Sequence, residues 1–200
     1  FIDLQKICVI DDLAHRHHLC HFLIDPTFYP DNSNPYLKLV SLPNIGVSSG
    51  EQPVFLLGPK YALLHKSFSV IRKILDSTVA AATSSRHNLL ISFGGSDVAN
   101  QTHRVLNALL TTMLSSPAFA QFFVQSFAEI NIISGPLYPS KEILQLENLI
   151  PIKYEKLFSI YNTLDPLDIA NLISRSHIAI GAGGVSLYER CCLGVPSIVV

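Results

Sequence analysis

Apolar residues fall along the chain in short runs that alternate with longer segments of helical period. Runs of four to eight apolar residues bounded by turn formers read as buried strands, and recurrence at three and four residues reads as helix. On that basis Lys6–Ile10, Phe22–Ile24 and Val54–Leu57 are predicted strands, and Tyr61–Leu75 is a predicted helix. Residues 29–53 carry Pro, Asn, Ser and Gly and read as loop, and residues 77–86 are small and polar and read as a linker. Beyond it the alternation is regular. Strands are predicted at Asn88–Phe93, Glu129–Ser134, Lys156–Tyr161, His177–Ile180 and Ser197–Val200. Helices are predicted at Asn100–Leu114, Ser140–Leu146, Pro166–Ser174 and Ser186–Leu193, while Ser115–Phe127 fits either an insertion or a second helix. Strand-helix alternation of this kind predicts parallel crossovers in a doubly wound α/β sheet. A domain boundary is expected near the linker, giving 1–80 and 81–200.

Composition narrows the function classes. Hydrophobic residues make up 48% of the 200 residues and charged ones 14%, which suits a packed core and not a disordered chain. A net charge of −1 without a basic run argues against nucleic acid as the main partner. No apolar stretch is long enough for a membrane span, and no secretory leader is recognisable. Cys8, Cys20, Cys191 and Cys192 fit no metal-ribbon spacing, and the expected location is the cytoplasm with reduced thiols. The chain opens without Met beside one expected strand and stops in another, so a piece of a longer protein is expected.

Two glycine-rich turns follow predicted strands: Ser92-Phe93-Gly94-Gly95-Ser96-Asp97 and Gly181-Ala182-Gly183-Gly184-Val185-Ser186. In a doubly wound sheet, ligands bind outside the carboxyl ends of strands. Glycine admits close backbone approach, and the helix that follows presents free N–H groups and a positive dipole end to an anion. Such turns can hold a diphosphate without a metal. Glu189 lies about one turn into the second helix, where its carboxylate could accept from ribose hydroxyls. Ser186-x-x-Glu189 is also the spacing of a capping box, and spacing alone leaves both readings open. Neither turn completes a dinucleotide-binding glycine fingerprint.

At these segments the chain resembles a known family. Residues 181–197 (GAGGVSLYERCCLGVPS), 92–97 (SFGGSD) with Asn100 and Thr102, 57–64 (LGPKYALL) with Phe68, and 9–14 (VIDDLA) with Arg16, His18 and Cys20 resemble the PseG family. Its members are UDP-2,4-diacetamido-2,4,6-trideoxy-altropyranose hydrolases of pseudaminic acid biosynthesis. The chain is more distantly similar to MurG-like glycosyltransferases. The resemblance implies a GT-B fold of two Rossmann-like domains. The chain would hold the later part of the N-terminal domain and most of the C-terminal, UDP-binding one. It implies a UDP-sugar substrate, no cofactor, and hydrolysis by water at the anomeric carbon with inversion. Glu189 would hold the ribose, Gly183, Gly184, Val185 and Ser186 the phosphates, and backbone at Thr163 and Leu164 the uracil. Gly94, Gly95 and Ser96 would border the diphosphate and sugar. The general-base histidine would lie upstream of Phe1, and the chain alone is then expected not to turn over substrate. Family members are sometimes joined to an acetyltransferase.

Other features have plainer readings. His15, His17, His18, Cys20 and His21 crowd one loop, but only His18 and Cys20 match the resembled segment, so no metal site is expected. Pro26 and Thr27 stand where the family carries amide side chains. Cys191 and Cys192 read as helix packing, and Asp11-Asp12 as a cap of the next turn or as site residues.

Overall fold

The computed structural model describes residues 6–31, 33–44, 50–77 and 87–200. The chain divides into two compact units, Phe1–Leu63 and Leu64–Val200. The expected linker core, residues 78–86, lies outside the described residues.

The first unit holds strands β1 (Cys8–Ile10), β2 (His18–Leu19), β3 (Phe22–Asp25), β4 (Val40–Ser41) and β5 (Val54–Leu57). Strands β1, β3 and β5 form a parallel sheet in that order, and β2 pairs with β4 in parallel. The two-residue β2–β4 pair was not predicted, because strands that short leave no alternation to read. Cys20, Leu23 and Tyr36 are fully enclosed at its core, with Val9, Phe55 and Leu57 against them. The expected helix from Tyr61 starts only at α1 (Lys66–Ser77). Pro59–Tyr61 forms a single 3-10 turn, and Ala62 then turns extended, at φ −58° and ψ 128°, which ends it.

The second unit is doubly wound. Its strands are β6 (His87–Ser92), β7 (Phe127–Ser134), β8 (Phe158–Asn162), β9 (Ile178–Gly181) and β10 (Ser197–Val199). Its further helices are α2 (Gln101–Ser115), α3 (Pro117–Ser126), α4 (Ser140–Leu149), α5 (Pro166–Ser174) and α6 (Val185–Cys192). The sheet order is β10-β9-β6-β7-β8, all pairings parallel. Alternate residues of β6 supply the two faces: Leu89 and Ile91 enter one core, Leu90 the other. This is why the strand reads as continuously apolar. Helices α2, α3 and α4 cover the first face through Leu106, Leu110, Met113, Phe123 and Leu146. Helices α1 and α5 cover the second through Phe68, Ile71, Ala170 and Ile173. The division between units therefore falls before α1, whereas the sequence placed that helix in the first half.

Residues 115–127 resolve as a second helix. Ser116 caps α3 by accepting from Phe119 N at 3.3 Å, and Pro117 occupies its first turn. The expected strand from Lys156 begins at Phe158, because Ile152–Leu157 is a 3-10 segment.

Candidate functional site

The strand order reverses direction between β6 and β9. From β6 the chain builds outward to β7 and β8, then returns past β6 to β9 and β10. A crevice opens at such a switch point, because the helices on its two sides leave in opposite directions. Both glycine turns sit there, one after each of the two central strands. Between them lies a cleft of about 340 Å³. Its lining brings together Gly94, Gly95, Gly183, Val185, Ser186 and Glu189 from the sequence reading, and adds Ser92, Phe93, Ile133, Gly135, Pro136 and Ile169. Ser96, Gly184, Thr163 and Leu164 are not in that lining. Thr163 follows edge strand β8 with φ 53°, a conformation costly for a β-branched residue, and the Leu164 side chain packs against the second core.

The two helix starts differ in a way the sequence did not reveal. At α2 the Asp97 carboxylate accepts from Gln101 N and Thr102 N, both at 2.8 Å. A protein carboxylate thus already occupies the place an anion would take. At α6 no side chain caps the helix; its N-cap residue is Gly184. The capping-box reading fails here because the helix begins at Val185, one residue before Ser186. Ser186 Oγ instead donates to Gly183 O at 3.3 Å. Leu187 N donates to Gly184 O at 3.1 Å, and the N–H groups ahead of it have no partner within the helix, so of the two starts α6 is the one left open to an anion.

Glu189 lies in the wall of the same cleft, half-buried. Burial pushes its carboxyl above the ordinary glutamate range, against the opposing pull of the neighbouring Arg190 charge. Among the described residues no donor hydrogen-bonds to its carboxylate. It is a hydrogen-bond acceptor held in a partly dry wall without a protein partner, which favours a donor brought by a ligand.

The sequence assigns Arg190 no role of its own. The structure buries it beneath the turns, where Nε donates to Ser197 Oγ at 3.0 Å, Nη1 to Ser92 O at 3.4 Å and Nη2 to Ala182 O at 2.5 Å. The available signal was a charged residue at the helical period of Leu187 and Leu193. Gly135 was missed as well. A Cβ there would stand 2.4 Å from Gly94 O and Gly95 Cα, so glycine is what lets the end of β7 close against the first turn.

The first unit has its own polar cluster. Asp25, fully buried at the end of β3, accepts from Thr27 N at 2.8 Å, Tyr29 Oη at 2.6 Å and Tyr36 Oη at 2.9 Å. Burial alone would raise its carboxyl, but the Tyr29, Thr27 and Tyr36 bonds outweigh it and hold the group below its ordinary range. Burial and the Asp25 charge push the Tyr29 hydroxyl up to about 12. A hollow of about 420 Å³ lies beside this cluster, walled by Phe28, Tyr29, Leu57 and Lys60 among others. It is larger than the cleft at the switch point, but the Asp25 carboxylate bonded to Tyr29 is already satisfied, and the one helical start in its wall is the single 3-10 turn Pro59–Tyr61, whose first residue has no N–H to offer an anion. We therefore place the candidate site at the switch point. The histidine loop disperses: His18 Nε2 meets Asp11 at 3.0 Å, His21 Nδ1 accepts from Ile7 N at 3.0 Å, Cys20 enters the core, and His15 and His17 are exposed. Asp11 also lies 3.7 Å from Arg16, and it is buried, whereas Asp12 is exposed. Cys192 packs against the second core and Cys191 faces solvent. Among the described residues no helix is long and apolar enough to cross a membrane.

The second unit is thus an α/β module of Rossmann-like topology with an uncapped helix start at its switch point. Two curated proteins are similar to the chain. An uncharacterized protein of Methanocaldococcus jannaschii is 27% identical across 97% of the chain and 40% of its own length. The spore coat polysaccharide biosynthesis protein SpsG of Bacillus subtilis is 28% identical across 72% of the chain and 36% of its own length. The chain therefore spans about two fifths of the length of these relatives. No protein-family model matches it.

Proposed function

We propose that the cleft at the switch point binds UDP as part of a UDP-sugar. The protein is then a nucleotide-sugar hydrolase, and the 2,4-diacetamido-2,4,6-trideoxy-altropyranosyl nucleotide of pseudaminic acid biosynthesis is the substrate its motifs resemble. One observation carries the reading: the uncapped start of α6 and the unpartnered Glu189 carboxylate, one turn apart, open into the same cleft. The amides there suit a diphosphate, and the carboxylate suits the vicinal hydroxyls of a ribose whose phosphate sits at the helix start. Similarity to a polysaccharide biosynthesis protein supports a sugar-bearing ligand. In the reaction, water attacks the anomeric carbon and UDP departs. Helix-start amides stabilise the charge that develops on the leaving diphosphate.

Calorimetry with UDP, UDP-GlcNAc and NAD tests the reading. UDP and UDP-GlcNAc should bind, NAD should bind much more weakly, and Glu189→Ala should weaken UDP by about tenfold or more, the worth of a hydrogen bond to a charged acceptor. Preference for NAD, or UDP affinity indifferent to Glu189→Ala, would reject it. Release of UDP and free sugar with no acceptor present, assayed on a protein that includes the expected upstream histidine, separates hydrolysis from glycosyl transfer.

A further inference from the structure

Arg190 is the largest of the fully buried side chains among the described residues, at 1% exposure. Its guanidinium spans the ends of three strands: Ser92 closes β6, Ala182 follows β9, and Ser197 opens β10. The fit is tight, since a Cβ on Gly181 would stand 2.7 Å from Arg190 Nη1 and 2.0 Å from Ser92 O. Among the described residues no carboxylate lies within ion-pairing distance of it. Two carbonyls and a hydroxyl are its acceptors. Glu189 attracts the guanidinium only from beyond ion-pairing distance, an enclosed cation without a close counter-charge is expensive to maintain, and an apolar replacement of similar volume is often no less stable. Burial pulls the guanidinium down from its ordinary value, yet arginine stays charged even so. Folding does not require the charge, which leaves room for a role at the site.

Its acceptors say where that is. Ser92 lines the cleft itself, and Ala182 is joined to Gly183, which also lines it. The charge stands behind both turns, screened from water and bonded to the carbonyl that ends each strand's approach to them. We propose that Arg190 is a positioning residue whose buried positive charge holds the two glycine turns together and makes the cleft select a diphosphate over an uncharged nucleoside. This rests on the reading of the cleft as a UDP site. It adds a source of selectivity that reaches the ligand through the turns and not by contact.

The test compares UDP with uridine on the protein and on Arg190→Met and Arg190→Lys. Removing a charge several ångströms from a diphosphate in a partly dry site should weaken UDP by about tenfold or more. Uridine should change by less than about threefold, since no formal charge is opposed. Arg190→Lys keeps the charge but not the planar fork and should fall between. Equal losses for UDP and uridine would mean a merely structural role and overturn the proposal. Should the variants not fold, the native protein still decides: the Arg190 Nε–H resonance should shift on adding UDP and stay in place on adding uridine. A resonance unmoved by UDP overturns the proposal. Failure of the native protein to bind UDP at all sinks the nucleotide reading with it. UDP bound more tightly than uridine, with that preference kept in Arg190→Met, sinks only the role of Arg190.

Discussion

At the residue scale, Glu189 works against the fold that holds it. Its folded-state titration is raised, so the native state binds the proton more tightly than the unfolded chain does. Stability then falls as pH rises from the ordinary glutamate range through the raised native value. Glu189→Gln should therefore raise the melting temperature at neutral pH and leave it nearly unchanged in acid. A melting temperature that drops at neutral pH would contradict this. Asp25 has the opposite sign. Its native titration is depressed, so its contribution is complete above the unfolded value of about 3.9 and is lost as pH falls through the native one. Asp25→Asn should cost about 1–3 kcal/mol in urea denaturation at neutral pH, with the gap to the native protein narrowing in acid. A gap that stays constant across pH would show that the carboxylate charge is not what matters. Glu189 was legible in the sequence because a glycine turn and one helical turn fix its height. That it is not part of a capping box was not legible, since that depends on whether Gly184 or Ser186 is the N-cap. Arg190 and Asp25 were hidden for another reason: a residue's burial depends on strands far away in sequence.

At the scale of elements, the two glycine turns looked equivalent in the sequence and are not. The Asp97 carboxylate already satisfies the start of α2, while α6 has only Gly184 at its cap. Asp97 lies three residues ahead of the N-cap Asn100 but takes over the capping role, so Asp97→Ala should cost about 0.5–2 kcal/mol, the usual worth of a side chain that caps a helix start, read as a lower urea midpoint at unchanged slope. If α2 lost nothing, its start would not depend on that carboxylate. Gly135→Ala should destabilise more, because its Cβ has backbone and not a movable side chain in its path. The periodic elements β6, α2, α5 and β9 were readable because one long apolar pattern specifies each. The helix expected from Tyr61 and the strand expected from Lys156 were begun too early, inside the 3-10 segments Pro59–Tyr61 and Ile152–Leu157. Their residues suit helix or strand locally, and the 3-10 turns come from prolines and from the packing that follows.

For the molecule as a whole, the cleft belongs entirely to one compact unit, Leu64–Val200. A segment of residues 64–200 should fold and bind UDP within about threefold of the intact protein, since each module carries its own core. One of residues 81–200 should be markedly less stable. It lacks Phe68 and Ile71, and losing two large buried side chains costs about 2–5 kcal/mol apiece. Thermal melts of the two segments check this, and equal melting points would show that α1 is dispensable. The sequence put the boundary after α1 because residues 77–86 look like a linker. A polar stretch marks where the chain is free of pattern, not which sheet its preceding helix covers. The occupied start of α2 has one more consequence. The crest of the sheet is electrically lopsided, with an acid already seated on one side of the switch point and a vacancy on the other. If the proposed diphosphate ligand takes that seat, it has a single anchorage and should dock in one polarity.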